Sequence, residues 1–216
     1  MSELTDSFGA ALADEMVPAS AAARKRPRPG ERRVQILQTL AEMLQQPGAE
    51  RITTAALAAK LSVSEAALYR HFASKAQMFE GLIEFIESSV FTLVNQIVER
   101  EPAGAPQAQR IATLLLQFAE RNPGMVRVMV GDALVFEHER LIARMNQFFD
   151  RVEGQLRISL RSAADAHGSD TPTVQAQALA SALTALIVGR LQRYARSGFK
   201  RAPTEHLDLV LPRLTT

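Results

Sequence analysis

Tyr69, Arg70, His71 and Lys75 crowd the stretch SEAALYRHFASK, residues 64 to 75, among apolar neighbours. Their chemistry is that of holding an anion. The Tyr69 hydroxyl can donate to a phosphate. Lys75 follows Ser74, a helix N-cap, so its cation sits in a first turn where it opposes the helix dipole unless an anion lies beside it. A phosphate at that place would meet both the ammonium and free backbone N–H groups, which makes Lys75 a backbone clamp. Thr53 and Thr54, at the start of an earlier helix, present hydroxyls to the same passing backbone. Ser64 and Ala66 are short enough to let a helix start approach base edges, with Glu65 beside them on the same polar side.

The elements that carry these residues are helical, and the expected fold is all-α. Periodicity from residue 31 onward is close to 3.6, and no segment alternates in the manner of a strand. Val34, Leu37, Leu40, Ala41 and Leu44 form a first stripe, stopped by Gln46-Pro47-Gly48. Thr53 caps a second helix from Thr54, with Ala55, Leu57, Ala58 and Leu61 on its packing face. Ser64 caps a third that runs to about Phe72, turning Ala67, Leu68 and Phe72 inward and Ser64, Glu65, Ala66, Tyr69, Arg70 and His71 outward. Two short helices joined by a tight turn make a helix-turn-helix.

Composition agrees with a DNA-binding role without requiring it. The 216 residues, 47% of them hydrophobic, suffice for a small domain joined to a larger one, and the net charge is only +2. The cations are unevenly spread: RKRPRPGERR, residues 24 to 33, holds six Lys or Arg against Glu31. Pro27, Pro29 and Gly30 argue against a helix there, so residues 1 to 30 are expected to be a flexible basic tail, either a solvated, solubilising one or an arm that touches nucleic acid phosphate or groove, and its position favours the arm. There is no Cys, hence no disulfide or thiolate site, which fits the cytoplasm. The longest nearly apolar run, residues 178 to 189, is short for a membrane span, and no export signal is expected.

Residues 52 to 79, ITTAALAAKLSVSEAALYRHFASKAQMF, resemble the DNA-binding domain of TetR-type regulators, including the L-Y-x-H-F-x-x-K signature from Leu68 to Lys75. The resemblance continues through LIEFIE (82 to 87), FAERNPGMVRVMVGDALVFE (118 to 137), RMNQFFDRVEGQLR (144 to 157) and RSGFKRAPTEHLD (196 to 208). Over about residues 31 to 212 the chain is similar to the nucleoid-occlusion members of that family. They bind chromosomal DNA and antagonise the tubulin-like division protein FtsZ. The resemblance implies a homodimer on a palindromic site, residues 31 to 77 as DNA-binding domain, and residues 78 to 216 as a dimerisation and partner-binding domain. It also implies an FtsZ surface on the fourth and fifth helices, with Phe85, Leu114, Arg121 and Asn122 as candidate contacts. Ser62 departs from the glycine common at this turn, and Leu93 and Gln117 replace an expected basic residue and glycine.

Residue patterns alone leave milder readings of the same positions. On the fourth helix Phe79, Leu82, Ile83, Ile86, Val90, Leu93, Val94 and Ile97 form a stripe, and Phe85 lies roughly 120° from its centre at 100° per residue. A neighbouring helix could cover it. The fifth helix, about 106 to 121, ends at a corner forced by Pro123 and Gly124, where Arg121 and Asn122 could serve as capping residues. A long helix with Leu141, Met145, Phe148, Val152, Leu156 and Ser159 in register breaks at HGSD. Another starts near Thr173 with Leu179, Ala182, Leu183, Leu186, Ile187 and Tyr194, and a short segment follows from Thr204. A dimer built here would set two recognition helices about one DNA turn, ~34 Å, apart.

No enzyme signature is present. His71, His138, His167 and His206 are scattered, no metal motif or phosphate loop occurs, and there is no Cys or G-x-S-x-G nucleophile. Glu137, His138 and Glu139 read as a solvated helix start, and neither a cofactor nor an obvious small-molecule ligand is expected. Two functions remain: a nucleoid occlusion factor for which DNA is itself the effector, or a repressor released by a small molecule bound in an apolar pocket.

Overall fold

A computed structural model of the protein describes residues 31–46 and 51–215. The basic run from Arg24 to Arg28 and the Pro47-Gly48 stop lie outside the described residues. The chain divides after Arg32, and the architecture that follows is that of residues 33–215. Among the described residues every regular element is helical. In order they are α1 (Glu31–Leu44), α2 (Thr54–Lys60), α3 (Glu65–Tyr69), α4 (Lys75–Arg100), α5 (Ala105–Arg121), α6 (Pro123–Met129), α7 (Glu139–Ala166), α8 (Pro172–Arg196) and α9 (Leu207–Val210). Short 3₁₀ turns occupy Asp132–Leu134 and Pro212–Leu214.

Side-chain caps set three of the first boundaries. Thr53, Ser64 and Ser74 accept from the N–H groups of Ala56, Ala67 and Gln77 at 3.1, 3.3 and 3.2 Å. Gln77 reaches back to the Ala73 N–H at 2.8 Å, a reciprocal arrangement that fixes where α4 begins. Ser62 takes φ 53° in the turn between α2 and α3, the left-handed conformation that a β-carbon disfavours by about 1 kcal/mol. Ile36, Leu40, Leu44, Leu57, Leu68, Phe72 and Phe79 are buried in this N-terminal part. Three expectations need correction. α3 stops at Tyr69, not Phe72, and Phe72 packs inward from the following turn. Val34 is 51% exposed while Ile36 takes the core position, so the α1 stripe is shifted. Ala55 is exposed.

α4 joins the two parts of the fold. Its first turns belong to the helix-turn-helix, and its length packs on α5, α6 and α7. Of the expected stripe all members are buried except Leu93, which is half-buried. α7 and α8 form the most extensive pair, with Leu141, Met145, Phe148, Val152, Leu156 and Ser159 buried as their register required. On α8 the inner side is Leu183, Ile187 and Tyr194, whereas Ala182 is exposed and Leu179 and Leu186 are half-buried, leaving a second, small-residue face outward. α4 and α8 each have the length and mean hydropathy, 1.3, of a membrane span. α4 nevertheless carries Glu80 and Glu87 in ion pairs to Arg140 and Arg144 on α7, at 2.7 and 2.5 Å.

Candidate nucleic-acid interface

The outward side of α3 is what its period requires: Ser64, Glu65, Ala66, Tyr69, Arg70 and His71 are all exposed, and Tyr69 shows 45% of its surface. Thr53 is exposed and Thr54 half-buried at the start of α2. The Thr54 hydroxyl donates to the Glu65 carboxylate at 2.5 Å, tying α2 to α3 across the turn. That bond gives the Glu65 carboxylate a donor within the protein. Arg33 on α1 supplies a second tie. Its guanidinium donates to the His71 carbonyl at 2.7 Å and lies 4.1 Å from the centre of the Phe72 ring. In the sequence Arg33 is one cation of a basic run; in the fold it staples the end of α3.

Lys75 does not point freely outward. Its ammonium is paired with Glu137, in the loop ahead of α7, and lies 5.7 Å from the centre of the Phe79 ring. Glu137 is therefore not part of a solvated helix start, as its sequence neighbours suggest. Its side chain is only 10% exposed. His138 caps α7 by accepting from the Arg140 N–H at 3.2 Å, and Glu139 is exposed, as expected.

The partner candidates meet different fates. Leu114 is 4% exposed and belongs to the core behind α5, so it does not share a surface with Arg121. Its i+3 and i+4 spacing to other apolar residues was the available signal. Phe85 and Leu93 on α4 and Gln117 on α5 are half-buried. Arg121 is exposed in the last turn of α5, where its charge complements the dipole. Asn122 closes that helix: its side-chain amide donates to the Phe118 carbonyl at 2.8 Å, while its own carbonyl accepts from Met125 at 3.0 Å. The corner is pressed onto α1, since a β-carbon on Gly124 would stand 1.9 Å from the Ala41 carbonyl oxygen. Only glycine permits this approach.

A second motif packs against the same corner. Tyr194 donates to the Glu120 carbonyl at 3.3 Å, and Thr204 donates to the Glu120 carboxylate at 2.5 Å. Phe199, at φ 63°, packs edge-on to Tyr194 and under the Arg127 guanidinium. Burial, and secondarily the Glu120 charge, pushes the Tyr194 hydroxyl above its ordinary pKa. Segments 118–127 and 194–204, far apart in sequence, thus build one surface edged by exposed Arg121, Lys200 and Arg201.

Residues 36–82 match the tetR family of bacterial regulatory proteins, and residues 106–216 match a SlmA-like model described as a tetracyclin repressor-like C-terminal domain. The nucleoid occlusion factor SlmA of Photobacterium profundum is 52% identical over 178 residues, covering 82% of this chain and 90% of that protein. The chain belongs to the SlmA-like branch of the tetR family. SlmA of Aliivibrio fischeri is 51% identical over 183 residues, 84% of this chain and 93% of the relative. Solved structures share the fold at much lower identity. The regulator FadR from Bacillus subtilis, in complex with stearoyl-CoA, superposes with a TM-score of 0.67 at 12% identity, covering 85% of this chain and 97% of its own. The ketosteroid regulator KstR2 of Mycobacterium tuberculosis gives 0.65 at 19%, covering 91% and 100%. The all-α, TetR-like architecture read from the sequence is thereby established.

Proposed function

We propose that this protein is a nucleoid occlusion factor: a cytoplasmic, nucleoid-associated homodimer that binds DNA through α2, α3 and the start of α4, and, when so bound, antagonises assembly of FtsZ. It is a DNA-binding regulator and not an enzyme. The observation that carries the reading is that likeness to SlmA relatives spans both the helix-turn-helix and the C-terminal part, including the corner and the segment packed against it. Ser64, Glu65, Ala66, Arg70 and His71 face the groove, while Thr53, Thr54, Tyr69 and Lys75 meet the backbone on either side. The outward face of α8, with Ala178, Ser181, Ala182 and Ala185 exposed, suits close packing against a second copy. Phe85, Arg121 and Asn122 remain the FtsZ candidates, and Leu114, being in the core, drops out of that set. Residues 31 to 77 and 78 to 216 are the proposed DNA-binding and dimerisation/partner domains.

Sedimenting FtsZ polymers with the protein, with and without DNA carrying its selected site, tests this. DNA-dependent loss of polymer supports the reading. No effect on FtsZ, together with release of DNA by a small molecule, would make the protein a repressor instead.

A further inference from the structure

Three ion pairs join α4 to the stretch that begins α7, and one has the opposite sense. Glu80 and Glu87 on α4 face Arg140 and Arg144, whereas at the DNA-facing end α4 supplies the cation, Lys75, and the loop supplies the anion, Glu137. A purely structural pair would place the acid on α4 here, because a first-turn cation opposes the helix dipole. The loop also turns its side chains against their polarity. Val135 and Phe136 are 64% and 67% exposed, while the neighbouring Glu137 carboxylate is directed inward onto the ammonium. The open side of the pair belongs to Lys75, whose side chain is 26% exposed against 10% for Glu137, so an anion arriving from solvent meets the ammonium first.

We propose that Glu137 is an internal competitor for the DNA backbone: it occupies Lys75 in the free protein and is displaced by phosphate, and so sets the strength and salt dependence of DNA binding. This rests on the reading of Lys75 as a phosphate contact. Displacement leaves a sheltered carboxylate without its cation, which opposes binding. A freed Glu137 also takes up a counterion from solution, which offsets one of those released from DNA at each half-site.

The test uses the full-length dimer and a fluorescently labelled duplex of mixed sequence, titrated across KCl concentrations. Glu137→Gln is expected to bind about fivefold tighter over two half-sites, the size of partly exposed ion pairs, with a salt slope steeper by ~1 per half-site. Lys75→Ala is expected to bind more weakly and to abolish the effect of Glu137→Gln in the double variant. Glu137→Asp, which keeps the charge but withdraws it, is expected to fall between wild type and Gln, and it serves if Glu137→Gln does not fold. Equal or weaker binding by Glu137→Gln, with Lys75→Ala still weakened, overturns the competitor and leaves the clamp standing. An unchanged affinity in Lys75→Ala overturns both.

Discussion

The DNA-facing end and the α5–α6 corner are built on opposite principles. At the first, short capped helices hold the proposed DNA-binding side chains away from the core, and Ser64, Ala66, Tyr69, Arg70 and His71 stay exposed because the fold uses the other side of α3. At the corner, the fold engages most of the polar and apolar groups itself: Asn122 caps α5, Leu114 fills the core and Gly124 lies against the backbone of α1. Arg121 alone among the four partner candidates is exposed. Substitution at the first end therefore acts on binding, whereas substitution at the corner acts on stability unless it is confined to Arg121 or Phe85.

Gly124→Ala should show the contrast most strongly. The added methyl would meet backbone, the Ala41 carbonyl oxygen at 1.9 Å, so helices must shift at a cost of about 1–3 kcal/mol or more. Thermal unfolding should record a fall in Tm of several degrees, and an unchanged Tm would mean the corner is not seated on α1. Lys75→Ala comes next. It should weaken selected and mixed-sequence DNA alike, and it should flatten the salt slope by ~1 per half-site when made in the Glu137→Gln background, where no freed carboxylate offsets the counterion released; a loss confined to one sequence would remove Lys75 from the backbone. Phe85→Ala should cost less than the ~3–5 kcal/mol of a fully buried Phe, because the ring is half-buried, while antagonism of FtsZ falls and DNA affinity holds. A core-sized loss would make Phe85 packing only.

The smallest effect is one of pH. The folded-state pKa of Tyr194 is raised, so the folded protein resists ionisation that the unfolded chain undergoes near pH ~10. The stabilisation from this neutral, buried hydroxyl is complete below that pH and is lost as pH rises through the folded value. Urea denaturation from pH 9 to 11 should show this slope in the wild type and a shallower one in Tyr194→Phe.

The same contrast explains what the sequence made legible. The DNA-facing set lies largely within twelve residues on helices whose caps and period are local properties, so Ser64, Ser74 and the exposed side of α3 could be placed without the fold. The shift of the α1 stripe from Val34 to Ile36 was not legible, because which side of an exposed-ended helix is covered depends on α4, whose Gly81 admits Leu37 close by. Glu137 was misread for a related reason: surrounded by His138 and Glu139 it has the composition of a solvated turn, and its partner is 62 residues away. The corner required three segments to meet, and neither the closure of Asn122 onto Phe118 nor the seat of Gly124 on Ala41 has a local signature.

The central claim is that DNA binding and antagonism of FtsZ occupy separable surfaces of one molecule. Arg121→Asp tests it most directly, because it reverses an exposed charge, which would repel an acidic segment of a partner docking there, without removing a buried contact. DNA affinity, dimerisation and FtsZ sedimentation with bound DNA are to be measured on the same preparation. The account predicts wild-type DNA affinity and dimer mass with FtsZ polymers left intact. A folded Arg121→Asp protein that still dissolves FtsZ polymers in the presence of DNA would contradict it.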